Sequence, residues 1–341
     1  MQKGNGDIWL ELSASSGAAV EASDVLFCQK IEINPKGENP ADLLFDAAPA
    51  GGDVRVIAIL DAARVFGLPE ILHASGLRHV SLFQEGTDDN APFLVELSAD
   101  SRLTRRLLDG RDRPTNLLHA NAGIHFRTAL DMASLRRHLR RLMRVTDEAG
   151  QVCFFRFWEP WAAQCYFRRI ADMPQRVLHW FRTVEGQALG EVLVPDPQAG
   201  WIMVFGAPGL GDAPRPHVPF RLGPAEHWAL QQARLRSDLD RIVELSGQTF
   251  PEIAERLGRV GLERQVTRSI SRMQELGIRQ RNNLMRTAVW DLHSDGRVEA
   301  RDGQGQLRQI LEGPMPEAQK MLALTARIAE LDQTASPGRL G

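Results

Sequence analysis

Val56-Ile57-Ala58-Ile59-Leu60-Asp61-Ala62-Ala63-Arg64 and, further along, Phe154-Phe155-Arg156-Phe157-Trp158-Glu159-Pro160 decide how this chain is read. The first is an apolar run rich in Val and Ile, too short to cross a membrane, that breaks abruptly into charge. It predicts a strand covered on both faces of a sheet. The second reads as another buried strand ending in charge. A helix is expected directly after the first, over 62–75, with Gly76 closing it.

Working outward, 79–83 and 93–97 read as strands around a polar turn at 85–90. A helix near 101–109, a strand near 123–127, a helix over 132–144 and the strand 151–157 follow. Upstream, 8–12 and 25–33 are strand-like, separated from the first run by a stretch at 35–52 that contains Pro and Gly. Alternating strands and helices predict an α/β fold whose mostly parallel or mixed sheet is flanked by helices. Two short helices carrying Trp161, Tyr166, Phe167, Trp180 and Phe181, then strands at 191–194 and 201–205, extend this lobe. Pro208, Pro214, Pro216, Pro219 and Pro224, with Gly206, Gly209, Gly211 and Gly223, mark a linker.

Beyond the linker the periodicity is helical only. Trp228, Leu235, Leu239 and Ile242 share one face, Val266, Ile270, Met273 and Leu276 another, and Met321, Leu322, Ile328 and Ala329 a third. Thr249 precedes Phe250-Pro251-Glu252 as an expected helix N-cap, and 295–305 reads as an exposed turn. The chain's 341 residues exceed what one core usually organises. The expected division is an α/β lobe over 1–207, a linker over 208–224 and an all-helical lobe over 225–341.

The hydrophobic share of 43% and charged share of 25% are those of a globular protein and exclude a disordered chain. Cys28, Cys153 and Cys165 are too few and too scattered for a disulfide framework, which predicts a reducing, cytoplasmic setting and small buried side chains. The start of the chain lacks a signal-peptide pattern, and no uncharged stretch is long enough to span a bilayer, so neither export by the general route nor membrane anchoring is expected. A net charge of −2 argues against bulk nucleic-acid binding. Locally the charge is uneven. Residues 101–150 hold eleven arginines against five acids, whereas residues 1–50 hold three lysines against eight acids.

No phosphate-binding Gly-x4-Gly-Lys-Ser/Thr, no Gly-x-Ser-x-Gly and no His-Glu-x-x-His occurs. Residues 206–211 are Gly-rich but open no helix at the required spacing and read as a loop. Asp61 sits where α/β sheets bind ligands, outside a strand's carboxyl end. An aspartate nucleophile of the dehalogenase kind needs a second acid two residues on, and Ala63 stands there. Asp61 instead reads as a helix cap or as the partner of Arg64 or Arg156. His119, His125 and His138 show no metal-ligand spacing, His138 reading as a satisfied core position, so neither metal nor cofactor is expected.

In the helix over 132–144, Leu135, Leu139 and Leu142 form the core face, while Arg136, Arg137, Arg140, Arg141 and Arg144 form a positive stripe. Such a stripe is either a solvated face or a docking surface for an acidic partner. Trp158, Glu159 and Trp161, just past a strand end, are either core or an interface edge. These eight residues are the partner-binding candidates.

The strings Ile57 to Arg64, Leu68-Pro69-Glu70-Ile71-Leu72, Ser75-Gly76, Ser81-Leu82-Phe83, Ala91-Pro92-Phe93-Leu94-Val95-Glu96-Leu97, Leu135-Arg136-Arg137-His138-Leu139-Arg140-Arg141 and Phe155-Arg156-Phe157-Trp158-Glu159-Pro160 occur in the order seen in the type VI secretion adaptor family. The resemblance covers roughly 54–160, with Asp61, Arg64, Pro92, Arg156 and Pro160 as its structural signature, and the helical remainder resembles the family's more variable C-terminal lobe. It implies a cytoplasmic, non-enzymatic chaperone, encoded between a VgrG spike protein and its toxic effector. Such a protein binds the cognate effector and loads it onto the C-terminal region of the spike, without cofactor, nucleic acid or membrane. The competing reading is an α/β enzyme of phosphohydrolase or nucleotide-binding type that uses Asp61.

Overall fold

In the computed structural model, the described residues are 25–33, 42–45, 54–83, 90–109, 117–118, 120–147, 150–196, 200–210, 220–294 and 296–335. The expected strand at 8–12, the polar turn at 85–90 save Asn90, and most of the 35–52 stretch lie outside them. The chain divides between Arg234 and Leu235 into two compact units.

The first unit is built on a seven-stranded sheet of β1 (Phe27–Glu32), β2 (Arg55–Asp61), β3 (His79–Ser81), β4 (Pro92–Glu96), β5 (Gly123–Thr128), β8 (Glu191–Asp196) and β9 (Trp201–Gly206). The order across it is β1-β9-β8-β5-β2-β4-β3. Its helices are α1 (Asp42–Phe45), α2 (Leu68–Ser75), α3 (Arg102–Leu108), α4 (Met132–Leu142), α5 (Pro160–Ile170) and α6 (Pro174–Phe181).

The α/β class holds, but every strand pairing is antiparallel, not parallel or mixed. The reason lies in the crossovers. β2 and β3 run parallel with α2 between them in sequence, and β4 is inserted between them in space; β4 and β5 run parallel across α3, with β2 inserted. Strand–helix–strand periodicity reports the crossover and is blind to the strand that later fills the gap.

Period-two alternation sends the strands' side chains to two cores. Ile57, Ile59, Leu94, Ile124, Phe126, Val192 and Phe205 face α4, α5 and α6, which contribute Leu135, Leu139, Leu142, Tyr166, Phe167 and Trp180. Val56, Ala58, Leu60, Phe93, Val95 and Val204 face α1, α2 and α3, which contribute Leu44, Leu68, Leu72, Leu103 and Leu107. β2 is therefore buried on both faces, as its composition predicts.

Three local expectations are corrected. The helix after β2 starts at Leu68 and not at 62: the Asp61 carboxylate accepts the Ala63 N–H at 3.0 Å, and Gly67 adopts φ +68° before Pro69 opens the helix. Gly76, at φ +67°, closes it as expected. The string at 151–157 is no core strand. Only β7 (Val152–Phe154) is extended, paired with β6 (Arg144–Thr146) in a separate two-stranded sheet, and the chain then turns into α5. The cysteines are half-buried, not core, with burial raising the Cys28 thiol pKa.

Of the expected linker, residues 211–219 are outside the description. Phe220 and Leu222 just beyond them are buried in the first unit's core, and the division falls inside α7 (Pro224–Thr249).

The second unit gathers the later part of α7 with α8 (Pro251–Glu275), α9 (Arg281–His293), α10 (Gln306–Glu312) and α11 (Glu317–Ala335). Leu239, Ile242, Val266, Ile270, Met273, Leu292, Leu307, Leu324 and Ile328 form its core. Three readings change here. Trp228 and Leu322 are exposed, Leu324 taking the core place on α11. The Thr249 hydroxyl bonds back to the Leu245 carbonyl, closing α7, and Phe250 is the N-cap of α8. The 295–305 turn contains a 3₁₀ segment (Val298–Arg301) that buries Val298, while buried Asp302 accepts the Leu307 N–H and two bonds from Arg327.

Candidate functional site

Asp61 ends β2, held there by its N–H on the Ala122 carbonyl. Its carboxylate is buried at 2% exposure and accepts three protein donors: Ala63 N–H on Oδ1, and Arg156 Nη2 at 2.6 Å and Trp158 Nε1 at 3.0 Å on Oδ2. Arg156 also reaches Glu159, Nε to Oε1 at 3.0 Å. Glu159 caps the start of α5 through its backbone, and Pro160 follows in the first turn, where a missing N–H costs nothing. Pro92 stands opposite Asp61 in the β2–β4 register.

Four of the five signature residues, Asp61, Pro92, Arg156 and Pro160, thus converge on one corner; Arg64 lies exposed in the turn after β2. Of the two arginines proposed for Asp61, Arg156 is the one seen bonding it.

This corner is a lock between distant parts of the chain. It leaves the Asp61 carboxylate bonded on both oxygens and 2% exposed, which disfavours nucleophilic use.

Of the two placements expected for Trp158, core or interface edge, it takes the core. It is 1% exposed and meets Phe83, Phe154 and Phe157 edge to face at 6.2, 5.8 and 5.3 Å between ring centres. What the surface offers beside it is Phe154, 51% exposed, and Val152, 71% exposed, on the same face of β7. Sequence reasoning passed over both, although their i, i+2 spacing at the head of the second string was the available signal. Trp161 and Glu159 are half-buried.

The arginine stripe divides. α4 starts at an Asp131 N-cap, whose Oδ1 accepts the Ser134 N–H at 2.7 Å, and ends at Leu142, so Arg144 belongs to β6. Arg136 is tied down, its Nε donating to the Ser81 carbonyl at 2.7 Å and its Nη2 to the Phe83 carbonyl. Arg137 pairs with Glu185 at 3.5 Å on the surface and donates to Ser134. Arg140, Arg141 and Arg144 have no ion-pair partner among the described residues. Arg136, Arg137 and Arg140, with Met132 and Ala133, form one wall of a groove of about 670 Å³ whose other wall is Arg78, His79 and Val80.

The remaining candidates take no part. His138 is buried in the core, as expected, with Nε2 2.7 Å from the Trp180 carbonyl. His119 lies outside the described residues. His125 is buried within β5, and burial pushes its pKa down to about 4, the Leu193 main chain opposing this only in part. Among the described residues no three His, Cys, Asp or Glu side chains converge as a metal site requires. No helix among them is long and apolar enough to cross a membrane.

Residues 57–176 match a protein-family model described as a domain of unknown function, DUF4123. The match begins in β2 and ends in α6, so it contains both halves of the Asp61 lock, the groove and α4. No curated protein and no solved structure matches the chain.

Proposed function

We propose that this protein is a type VI secretion adaptor that acts in the cytoplasm. It binds a cognate toxic effector, keeps it soluble and presents it to the C-terminal region of the VgrG spike, making and breaking no covalent bond. The observation that carries this reading is the match of 57–176 to the same stretch in which the adaptor-like strings occur in order. Two features support it. The only strand-end carboxylate that suggested an enzyme is spent on Arg156, Trp158 and Ala63. The surface around it presents arginines and exposed apolar side chains, the composition of protein interfaces.

In this reading the α/β unit supplies one docking surface, and the helical unit grips apolar segments of the effector. The test is co-purification of the full chain with a fragment of the spike and a fragment of the effector encoded beside it. Retention of both is expected. Failure to retain either, or metal-dependent turnover of a phosphate ester abolished by Asp61→Asn, would overturn the proposal.

A further inference from the structure

β3 is the last strand of the seven-stranded sheet, with β4 on one side and no described strand on the other. Glu96 N–H bonds the Arg78 carbonyl and Leu82 N–H bonds the Pro92 carbonyl, so Arg78, Val80 and Leu82 turn their main-chain groups toward β4. Alternation then directs those of His79 and Ser81 outward. A sheet edge that no described strand covers invites another chain. Here Arg136 covers part of it, taking the Ser81 and Phe83 carbonyls, and leaves the His79 end open to the groove.

The groove itself has a definite chemistry. Arg78, Arg136, Arg137 and Arg140 line it, with Val80, Met132 and Ala133 as its apolar lining. Described acids that offset this charge include Glu96, 3.9 Å from Arg78, Glu185, 3.5 Å from Arg137, and the N-cap Asp131, whose carboxyl the Ser134 N–H and, less strongly, Arg137 hold below its usual pKa; Arg78 and Arg137 are both exposed. Past Arg136 the surface continues through Phe83, whose ring meets Phe154 at 5.6 Å, to exposed Val152.

We infer that this groove takes an acidic segment of a partner polypeptide in extended form, added alongside β3. Its main chain pairs with the edge at His79, its carboxylates meet Arg78, Arg137 and Arg140, and its apolar side chains lie on Val80 and Ala133. A strand alternating acid and aliphatic residues fits both demands, because period two puts the two kinds on opposite faces. The inference deepens the adaptor reading by naming the chemistry of one partner, and it rests on that reading only for whose segment it is.

The probe is a short fluorescent peptide alternating Glu and Val, titrated with the full-length chain by anisotropy at low and at physiological salt. Binding is expected, weakening as salt rises, and Arg137→Glu with Arg140→Glu is expected to lower affinity about tenfold or more. Arg141→Glu with Arg144→Glu makes the same charge change outside the groove and is expected to have a much smaller effect. A peptide N-methylated at every backbone nitrogen is expected to bind at least about tenfold more weakly, since neither of its edges can then pair along β3. Hydrogen exchange should slow at His79 and Ser81, whose main-chain groups face the edge, on binding.

Equal losses from the two arginine pairs, tight binding by the N-methylated peptide, or equal affinity for a single-stranded oligonucleotide of the same charge would each overturn the inference. Variants that fail to fold are recognised by circular dichroism, and Arg78→Gln then carries the same test. If the peptide does not bind while spike and effector fragments still co-purify, the groove is wrong and the adaptor reading stands. If the peptide binds and neither fragment does, the reverse holds.

Discussion

The Asp61 carboxylate shows how much one buried side chain can hold: its three donors come from the turn after β2 and from a segment almost a hundred positions later. Replacing Arg156 by Met leaves a buried carboxylate short of its cation, and a cost of about 2 kcal/mol is expected. That is below the range for a fully buried pair, because Arg156 is itself partly in water. Trp158→Phe keeps most of the ring contacts, removes the Nε1 donor and should cost about 1–2 kcal/mol by urea unfolding. His125 gives a pH signature. Its folded-state pKa, about 4, lies below the ordinary 6.5, so between those values the unfolded chain binds the extra proton. Stability should therefore fall as pH drops from about 6.5 to about 4, by up to about 3 kcal/mol, and change no further through this group below that. His125→Leu should flatten that slope in urea titrations at pH 7 and pH 5; an unchanged slope would assign it elsewhere. An arginine partner for Asp61 was legible from residue type alone. The indole N–H of Trp158 was not, because one-dimensional spacing gives no direction for a ring.

Elements differ in how strongly the sequence encodes them. α4 was legible from its leucines at helical spacing, though it ends at Leu142 and not at 144, and Asp131, which starts it with a bond to Ser134 N–H, was not singled out. Asp131→Ala is accordingly expected to cost about 1 kcal/mol, a surface cap's worth, in thermal unfolding. The start of α7 is held differently. Buried Glu226 accepts from Tyr166 Oη at 2.8 Å and from Gly223 N–H at 2.8 Å, and lies 3.1 Å from Arg176. Burial, and next the Glu226 charge, raise the Tyr166 pKa well above its usual value, so the phenol stays a donor throughout the accessible range. Glu226→Ala strands the Tyr166 hydroxyl and the Gly223 N–H and takes the carboxylate from Arg176, which keeps the Arg221 carbonyl, and a loss of about 3 kcal/mol is expected, several times that of the α4 cap. A loss no larger than the cap's would mean that water replaces the carboxylate. No motif pointed to Glu226, since an acid in a helix's first turn normally reads as a solvated one. The second decisive string misled for a related reason: an unbroken aromatic run fits a buried strand, a buried turn and a helix entry alike, and only the Arg156–Asp61 bond distinguishes them.

At the scale of the whole chain, the described residues gather into separate hydrophobic cores, the first two built on strands and helices and the third on helices alone. Pro and Gly mark where a chain can turn and not where one core ends: Phe220 and Leu222 follow the prolines at 208–219 and still belong to the first core. Buried acid–arginine networks recur in both units, as Asp61 with Arg156 and Glu226 with Arg176 show for the first. The second carries two buried acid–arginine networks: Asp291 with Arg272, Ser269 and the Val298 N–H, and Asp302 with Arg327 and the Leu307 N–H. The Arg327 guanidinium holds the Asp302 carboxyl well below the usual carboxylate range. A depressed pKa of this sign adds stability that is present above the unfolded value of about 3.9 and is lost as pH falls toward the folded one. Asp302→Asn should therefore speed amide exchange across α9, α10 and α11 at neutral pH while leaving β2 and β5 protected. The same variant should also blunt the acid destabilisation of that unit below about pH 4. Exchange that rises equally in β2 and β5 would show one cooperative structure extending through α7, and the two-unit division would then describe packing without describing stability.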